Sequence, residues 1–236
     1  MPREFHAFSF EHLVAIFLTM TLPFALAALV RRAKWPRLER AIVLVILGAL
    51  IANYLGYMLF IRRQGEQTWQ QMLPMQMCDW AMVVIMVALW TARPLWFEVA
   101  YFWGIGGTLQ AVLTPNLRYA FPDIRFISFF VSHCAIIIGV VFLMLTRRIR
   151  VYPISILRVF AWSELYFVCA MIVDHFTQVN YGFLLHKPEA FSLLIYLSDA
   201  RPIYLLQMQL LALVFFCLLY LPFAIADGLR ALRKTD

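Results

Sequence analysis

Residues 10–30 read F-E-H-L-V-A-I-F-L-T-M-T-L-P-F-A-L-A-A-L-V, one charged side chain in a run long enough to cross a bilayer. The next ten, R-R-A-K-W-P-R-L-E-R, carry five Lys or Arg. Lipid offers no hydrogen bonds to an exposed backbone, so such runs must fold as helices. The alternation recurs. Further apolar stretches fall at about 41–61, 74–91, 96–114, 126–146, 154–180 and 202–226. The expected fold is therefore all-α: a polytopic membrane bundle of about seven transmembrane helices, forming a single transmembrane domain over 1–236. Of the 236 residues, 64% are hydrophobic and 14% charged, against roughly 45–50% and about 25% in soluble domains.

The net charge of +7 sits in short clusters between apolar runs, which is an orientation signal rather than a nucleic-acid footprint. No nucleic-acid partner is expected. If the N-terminus is outside, the cytoplasmic side holds 13 of the 20 Lys and Arg, including Arg31, Arg32, Lys34, Arg37, Arg40, Arg147, Arg148, Arg150, Arg230, Arg233 and Lys234. The C-terminus is then cytoplasmic, and a bacterial inner membrane is the expected location. The first apolar run lacks the short basic start and small-residue exit of a cleaved signal, so it reads as a retained helix. Proline marks the borders: Pro74 and Pro202 open spans, Pro94 and Pro153 precede them, and Pro115 ends one. Pro23 and Pro222 fall inside spans, where kinks are expected. The run G-I-G-G at 104–107 reads as a close helix-packing face, since no strand precedes it.

Polar groups inside lipid are costly, so their depth is informative. Counted along the spans, Asn53, Cys78, Asp79, Gln110, His133, Asp174, His175, Gln178, Gln207 and Gln209 all fall in the outer half, within roughly 12 Å of the surface. This layer is read either as a site or as hydrogen bonds between helices. Cys78, one turn beyond Pro74, lies where a helix dipole favours negative charge. His133, at similar depth, is its candidate base. Asp79 is set to orient a histidine or pair with Arg125. Cys134, Cys169 and Cys217 have apolar neighbours and read as core residues. No cysteine spacing suggests a disulfide framework or zinc site. A metal site at Cys78, His133 and His175 is conceivable, but no ligand motif supports it, and no metal or other cofactor is expected.

Four segments also carry a resemblance: L-P-M-Q-M-C-D-W (73–80), Y-F-W-G-I-G-G-T-L-Q-A-V-L-T-P-N-L (101–117), F-P-D-I-R-F-I-S-F-F-V-S-H (121–133) and V-N-Y-G-F-L-L-H-K-P (179–188). Over about 40–225 the chain resembles the YwaF-like bacterial membrane proteins, relatives of the animal family called transmembrane protein 164. The resemblance implies an acyltransferase that moves fatty acyl chains onto lysophospholipids through a cysteine, matched here by Cys78, with His133 matching a fifth-span histidine. The chain departs from the family pattern at Gln76, where His is usual, and at Asn116, where Asp is common.

The expected function is a lipid-active enzyme performing acyl transfer or hydrolysis on phospholipids through a Cys78–His133 dyad opening to the outer half of the membrane. Asn53, Asp79, Gln110, Arg125, Asp174, His175, Asn180 and Lys187 are its candidate substrate-binding residues. Gln110, Asn53 or a backbone amide would stabilise an oxyanion, and Arg125 or Lys187 would hold a lipid phosphate. The expected partners are membrane phospholipids or lysophospholipids. The alternative is a non-enzymatic transporter or ligand-binding membrane protein using the same polar layer.

Overall fold

The computed structural model describes residues 3–65, 67–188 and 192–232, so Arg233 and Lys234, counted above toward the cytoplasmic side, lie outside the described residues. Among the described residues the chain is helical, with one isolated antiparallel bridge between Glu4 and Tyr119. It divides into two compact units, Met1–Ile149 and Arg150–Asp236.

The first unit contains α1 (Phe10–Ala33), α2 (Pro36–Gln64), α3 (Met77–Thr91), α4 (Pro94–Trp103), α5 (Leu109–Leu113) and α6 (Ile124–Arg147). A π-helical turn, Gly104–Thr108, joins α4 to α5 without a break. The second unit contains α7 (Pro153–Thr177), two single 3₁₀ turns (Tyr181–Phe183 and Leu193–Tyr196) and α8 (Arg201–Leu232). Five helices, α1, α2, α6, α7 and α8, are long and apolar enough to cross a membrane. The other two expected spans correspond to α3, which has 15 residues, and to the continuous rod over 94–113, which includes the π turn.

Proline stands at the first turn of α2, α4 and α7, where its missing N–H has no intrahelical partner to lose. The third helix differs from expectation, beginning at Met77 rather than Pro74. Gln76 is its N-cap, and Asp79 Oδ2 accepts the Gln76 N–H at 3.0 Å. That carboxylate satisfies a donor the helix start would otherwise leave orphaned, which fixes the first turn three residues later. Cys78 is thereby the second residue of α3.

The centre of the first unit is α6, which contacts α1, α2, α3, α4, the π turn and α5. Two glycines allow this. A Cβ on Gly139 would sit 3.1 Å from Ile85 on α3, and one on Gly104 would sit 3.1 Å from Ile136 on α6. The G-I-G-G run is thus a packing face at Gly104, whereas Gly107 has nothing within 4 Å. Phe126, Phe130 and Ile137 of α6 bury with Val112 of α5.

Within this unit polar contacts tie the helices together at both ends. At one end Arg31 donates to the Leu145 carbonyl (2.8 Å) and Arg147 pairs with Glu39 (2.5 Å), joining the last turn of α1 and the first turn of α2 to the end of α6. At the other end the N-terminal segment lies against the α5–α6 loop, with Phe5 N–H donating to Arg118 O (3.0 Å) and Ala120 N–H to Arg3 O (2.9 Å).

Candidate functional site

A cavity of about 370 Å³ lies in the first unit, walled by α2, α3, α6 and the loop before α6. Helical spacing selects the wall. On α6, Arg125, Ser128, Phe129, Ser132, His133 and Ile136 recur at three and four residues, which is one helix face. On α2 the wall is Asn53, Tyr54, Tyr57 and Met58; on α3 it is Cys78, Asp79 and Met82. Asn116, Leu117, Arg118 and Tyr119 supply the loop side.

Of the ten residues singled out from sequence, five line this one cavity: Cys78, His133, Asn53, Asp79 and Arg125. His133 is buried, and its ring stacks on Phe129 with centroids 4.1 Å apart. Its Nδ1 lies 2.7 Å from the Phe129 carbonyl one turn earlier and 3.2 Å from Ser132 Oγ. A carbonyl only accepts, so Nδ1 carries a hydrogen, and in the neutral ring Nε2 then holds the lone pair. This is the tautomer a general base requires. The Ser132 hydroxyl donates to the Ser128 and Phe129 carbonyls (2.9 and 3.0 Å). Asn53 Nδ2 donates to the Ser128 carbonyl at 3.0 Å, tying α2 to α6 beside the histidine. Asp79 lines the cavity while capping α3 through the backbone of residue 76, a bond that does not depend on whether that residue is Gln or His.

Arg125 stacks over two rings, 4.5 Å from the Tyr119 centroid and 5.1 Å from that of Phe60, and pairs with Asp123 at 3.4 Å. Asp123 also caps α6 by accepting the Arg125 N–H at 2.8 Å.

The remaining candidates stand elsewhere. Gln110 is not part of the cavity wall, and its carbonyl accepts from the Thr114 hydroxyl and N–H. Asp174, His175, Asn180 and Lys187 belong to the second unit. Asp174 is fully buried, with Oδ1 accepting the Tyr181 N–H at 2.9 Å. His175 is exposed in the last turn of α7. Asn180 organises its own loop, accepting from the Leu185 and His186 N–H groups and donating to the His186 carbonyl. Lys187 directs its ammonium at the Ile195 and Leu197 carbonyls and the Asp199 carboxylate (3.2, 2.5 and 2.7 Å). An ammonium has three donors, and these three acceptors match them. The hydrogen bond from Lys187 holds the Asp199 carboxyl below its ordinary range. Also in this unit, Gln209 donates to Glu164 (3.3 Å) and Gln207 accepts the Ser198 N–H (2.6 Å), so both glutamines serve packing there. Among the described residues no three His, Cys, Asp or Glu side chains converge as a metal-ligand set.

Sequence reading missed Tyr54, Tyr57, Arg118 and Tyr119. The two tyrosines share the Asn53 face at helical spacing, a signal that was available. The loop pair had none, because a loop carries no period. His12 was missed as well. It is fully buried, with Nδ1 accepting the Phe8 N–H (2.9 Å) and Nε2 donating to the Val112 carbonyl (2.8 Å).

A profile of the TMEM164 family matches residues 7–220. An uncharacterized protein of Treponema pallidum (strain Nichols) is 28% identical over 210 residues, covering 87% of this chain and 82% of its own. No solved structure matches. A multi-pass helical membrane chain matched over nearly its whole length by that profile belongs to the TMEM164 family.

Proposed function

We propose that this protein is a membrane-embedded enzyme that moves or hydrolyses the acyl chain of a phospholipid through Cys78 and His133. The Cys78 thiol gives its proton to His133 Nε2, and the sulfur attacks the acyl ester carbonyl. The tetrahedral intermediate collapses with cleavage of the ester C–O bond. His133 returns the proton to the departing lysolipid oxygen, leaving an acyl-thioester on Cys78. A lysolipid hydroxyl or water then attacks the thioester, giving its proton to His133, and the sulfur leaves and is reprotonated. The orientation expected from Lys and Arg, with the N-terminus outside, and a bacterial inner membrane belong to the same proposal.

The observation that carries this reading is that one cavity is lined by both Cys78 and a histidine whose tautomer is set by the Phe129 carbonyl. The volume agrees with one end of a lipid. Pockets for whole drug-sized ligands span about 300–1,000 Å³, so 370 Å³ suits an ester and its polar neighbourhood while the chains stay in the bilayer.

The test compares membranes holding the wild-type chain, Cys78→Ala or His133→Gln. Lipidomics should show an altered acyl distribution with the wild-type chain only. Mass spectrometry should find an acyl adduct on Cys78 that hydroxylamine removes. Identical lipid profiles together with an unmodified Cys78 in the presence of phospholipid would overturn the proposal.

A further inference from the structure

The cavity wall also carries two arginines beyond the Cys78–His133 pair. Arg118 and Arg125 approach the same aromatic ring: their guanidinium carbons lie 5.9 and 4.5 Å from the Tyr119 centroid. All three residues line the cavity that contains Cys78 and His133. The arrangement is held from behind. The backbone of the loop is bonded on both sides of Tyr119 to the N-terminal segment, through Arg118 O and Ala120 N–H. Arg125 is fixed by its place in the first turn of α6 and by Phe60 on its other side, and its side chain is 16% exposed.

Two guanidinium groups near one ring disfavour each other, and an anion beside them relieves that repulsion. Acids nearby offset part of this charge. Asp123 caps α6 as well as pairing with Arg125, and Asp79 caps α3. Stacking on a ring uses the face of a guanidinium, whereas a tetrahedral oxyanion takes its in-plane N–H groups, often two at once. A phosphate bound this way would lie at the loop edge of the cavity, with the rest of its molecule reaching toward Cys78. In a glycerophospholipid the phosphate and the acyl ester are separated by only the glycerol carbons, which suits a cavity of this size.

We propose that Arg118, Tyr119 and Arg125 form a subsite for a phosphate group, either the headgroup phosphate of a glycerophospholipid or the same group free in solution. The lipid source rests on the enzyme reading above; the subsite itself does not.

The test uses the full chain carrying Cys78→Ala in dodecyl maltoside, so that no turnover occurs. Binding of dioleoylphosphatidylglycerol is followed by tryptophan fluorescence, with dioleoylglycerol as the partner lacking phosphate. The phosphatidylglycerol should bind at least tenfold more tightly than the neutral lipid. Arg118→Gln should remove most of that difference, and Arg118→Lys should restore part of it. Arg118 is the cleaner variant because its side chain is exposed and the N-terminal segment bonds only its backbone; unchanged thermal unfolding verifies the fold. Competition by millimolar inorganic phosphate assigns the site to a soluble phosphate. Binding that inorganic phosphate does not displace assigns it to the lipid headgroup. Equal binding of the two lipids, or wild-type preference in both Arg118→Gln and Arg125→Gln, overturns the subsite. Absence of acyl chemistry at Cys78 would leave this binding intact, so the two proposals fail separately.

Discussion

Replacing His12 with Leu measures how firmly the N-terminal segment is tied to the helices behind the cavity. The ring is completely buried among Phe5, Phe8 and Phe130, with centroids 5.5, 5.6 and 5.5 Å away. It joins two backbone groups, accepting from Phe8 N–H and donating to Val112 O. Leucine keeps apolar contacts with the three rings but can make neither bond. Each backbone group left buried and unpaired costs about 1–3 kcal/mol. Water reaching the Phe8 side lowers that half, because Phe8 itself is exposed, so a net loss of about 3 kcal/mol is expected. That is roughly a hundredfold in the ratio of folded to unfolded protein. Reversible unfolding in mixed micelles reads the difference, with His6→Leu as reference. His6 is exposed, and its change should stay within about 0.5 kcal/mol. His12→Asn, whose carbonyl oxygen can replace Nδ1 as acceptor, should fall between. If His12→Leu unfolds like His6→Leu, the ring does not bridge these groups, and the account of the N-terminal attachment fails.

Gly182 has φ +61°, and a Cβ there would meet the Tyr166 hydroxyl at 2.7 Å; Gly182→Ala should destabilise the second unit by at least about 1–2 kcal/mol, and an unchanged melting curve would contradict the geometry. Asp199, held below the usual carboxylate range by Lys187, should keep that ion pair at neutral pH and lose it as pH falls through its lowered pKa. Carboxyl NMR should follow this titration, and Lys187→Met should return Asp199 to the ordinary range; no change on that substitution would show that the contact is absent in solution. Reporter fusions near Lys34 and at the C-terminus should read cytoplasmic and one near Lys187 external, and an even number of crossings between the termini would refute the orientation.

Local pattern alone was enough for much of this protein. Lipid forbids unpaired backbone, so long apolar runs become helices whatever their neighbours, and α1, α2, α6, α7 and α8 fall where those runs do. Proline and basic clusters set most borders for equally local reasons. Cys78 and His133 stand out in the sequence as a thiol and an imidazole at matched depth in apolar runs, and both line the cavity. The start of α3 was less legible, since a cap formed by Asp79 outweighed the proline three residues earlier. What the sequence could not decide was which polar groups meet. Asn53 and His133 share the cavity, whereas Gln110, at comparable depth, does not, and Lys187 and Asn180 bond within their own loop. Depth along a helix follows from counting residues, but the direction a side chain faces depends on how helices rotate against one another. That rotation is set by distant contacts: Gly139 against Ile85, Asn53 against Ser128, and His12 against Val112 a hundred residues away. The arginines around Tyr119 depend on the same cause, because their loop is held by an N-terminal segment that no periodicity connects to it.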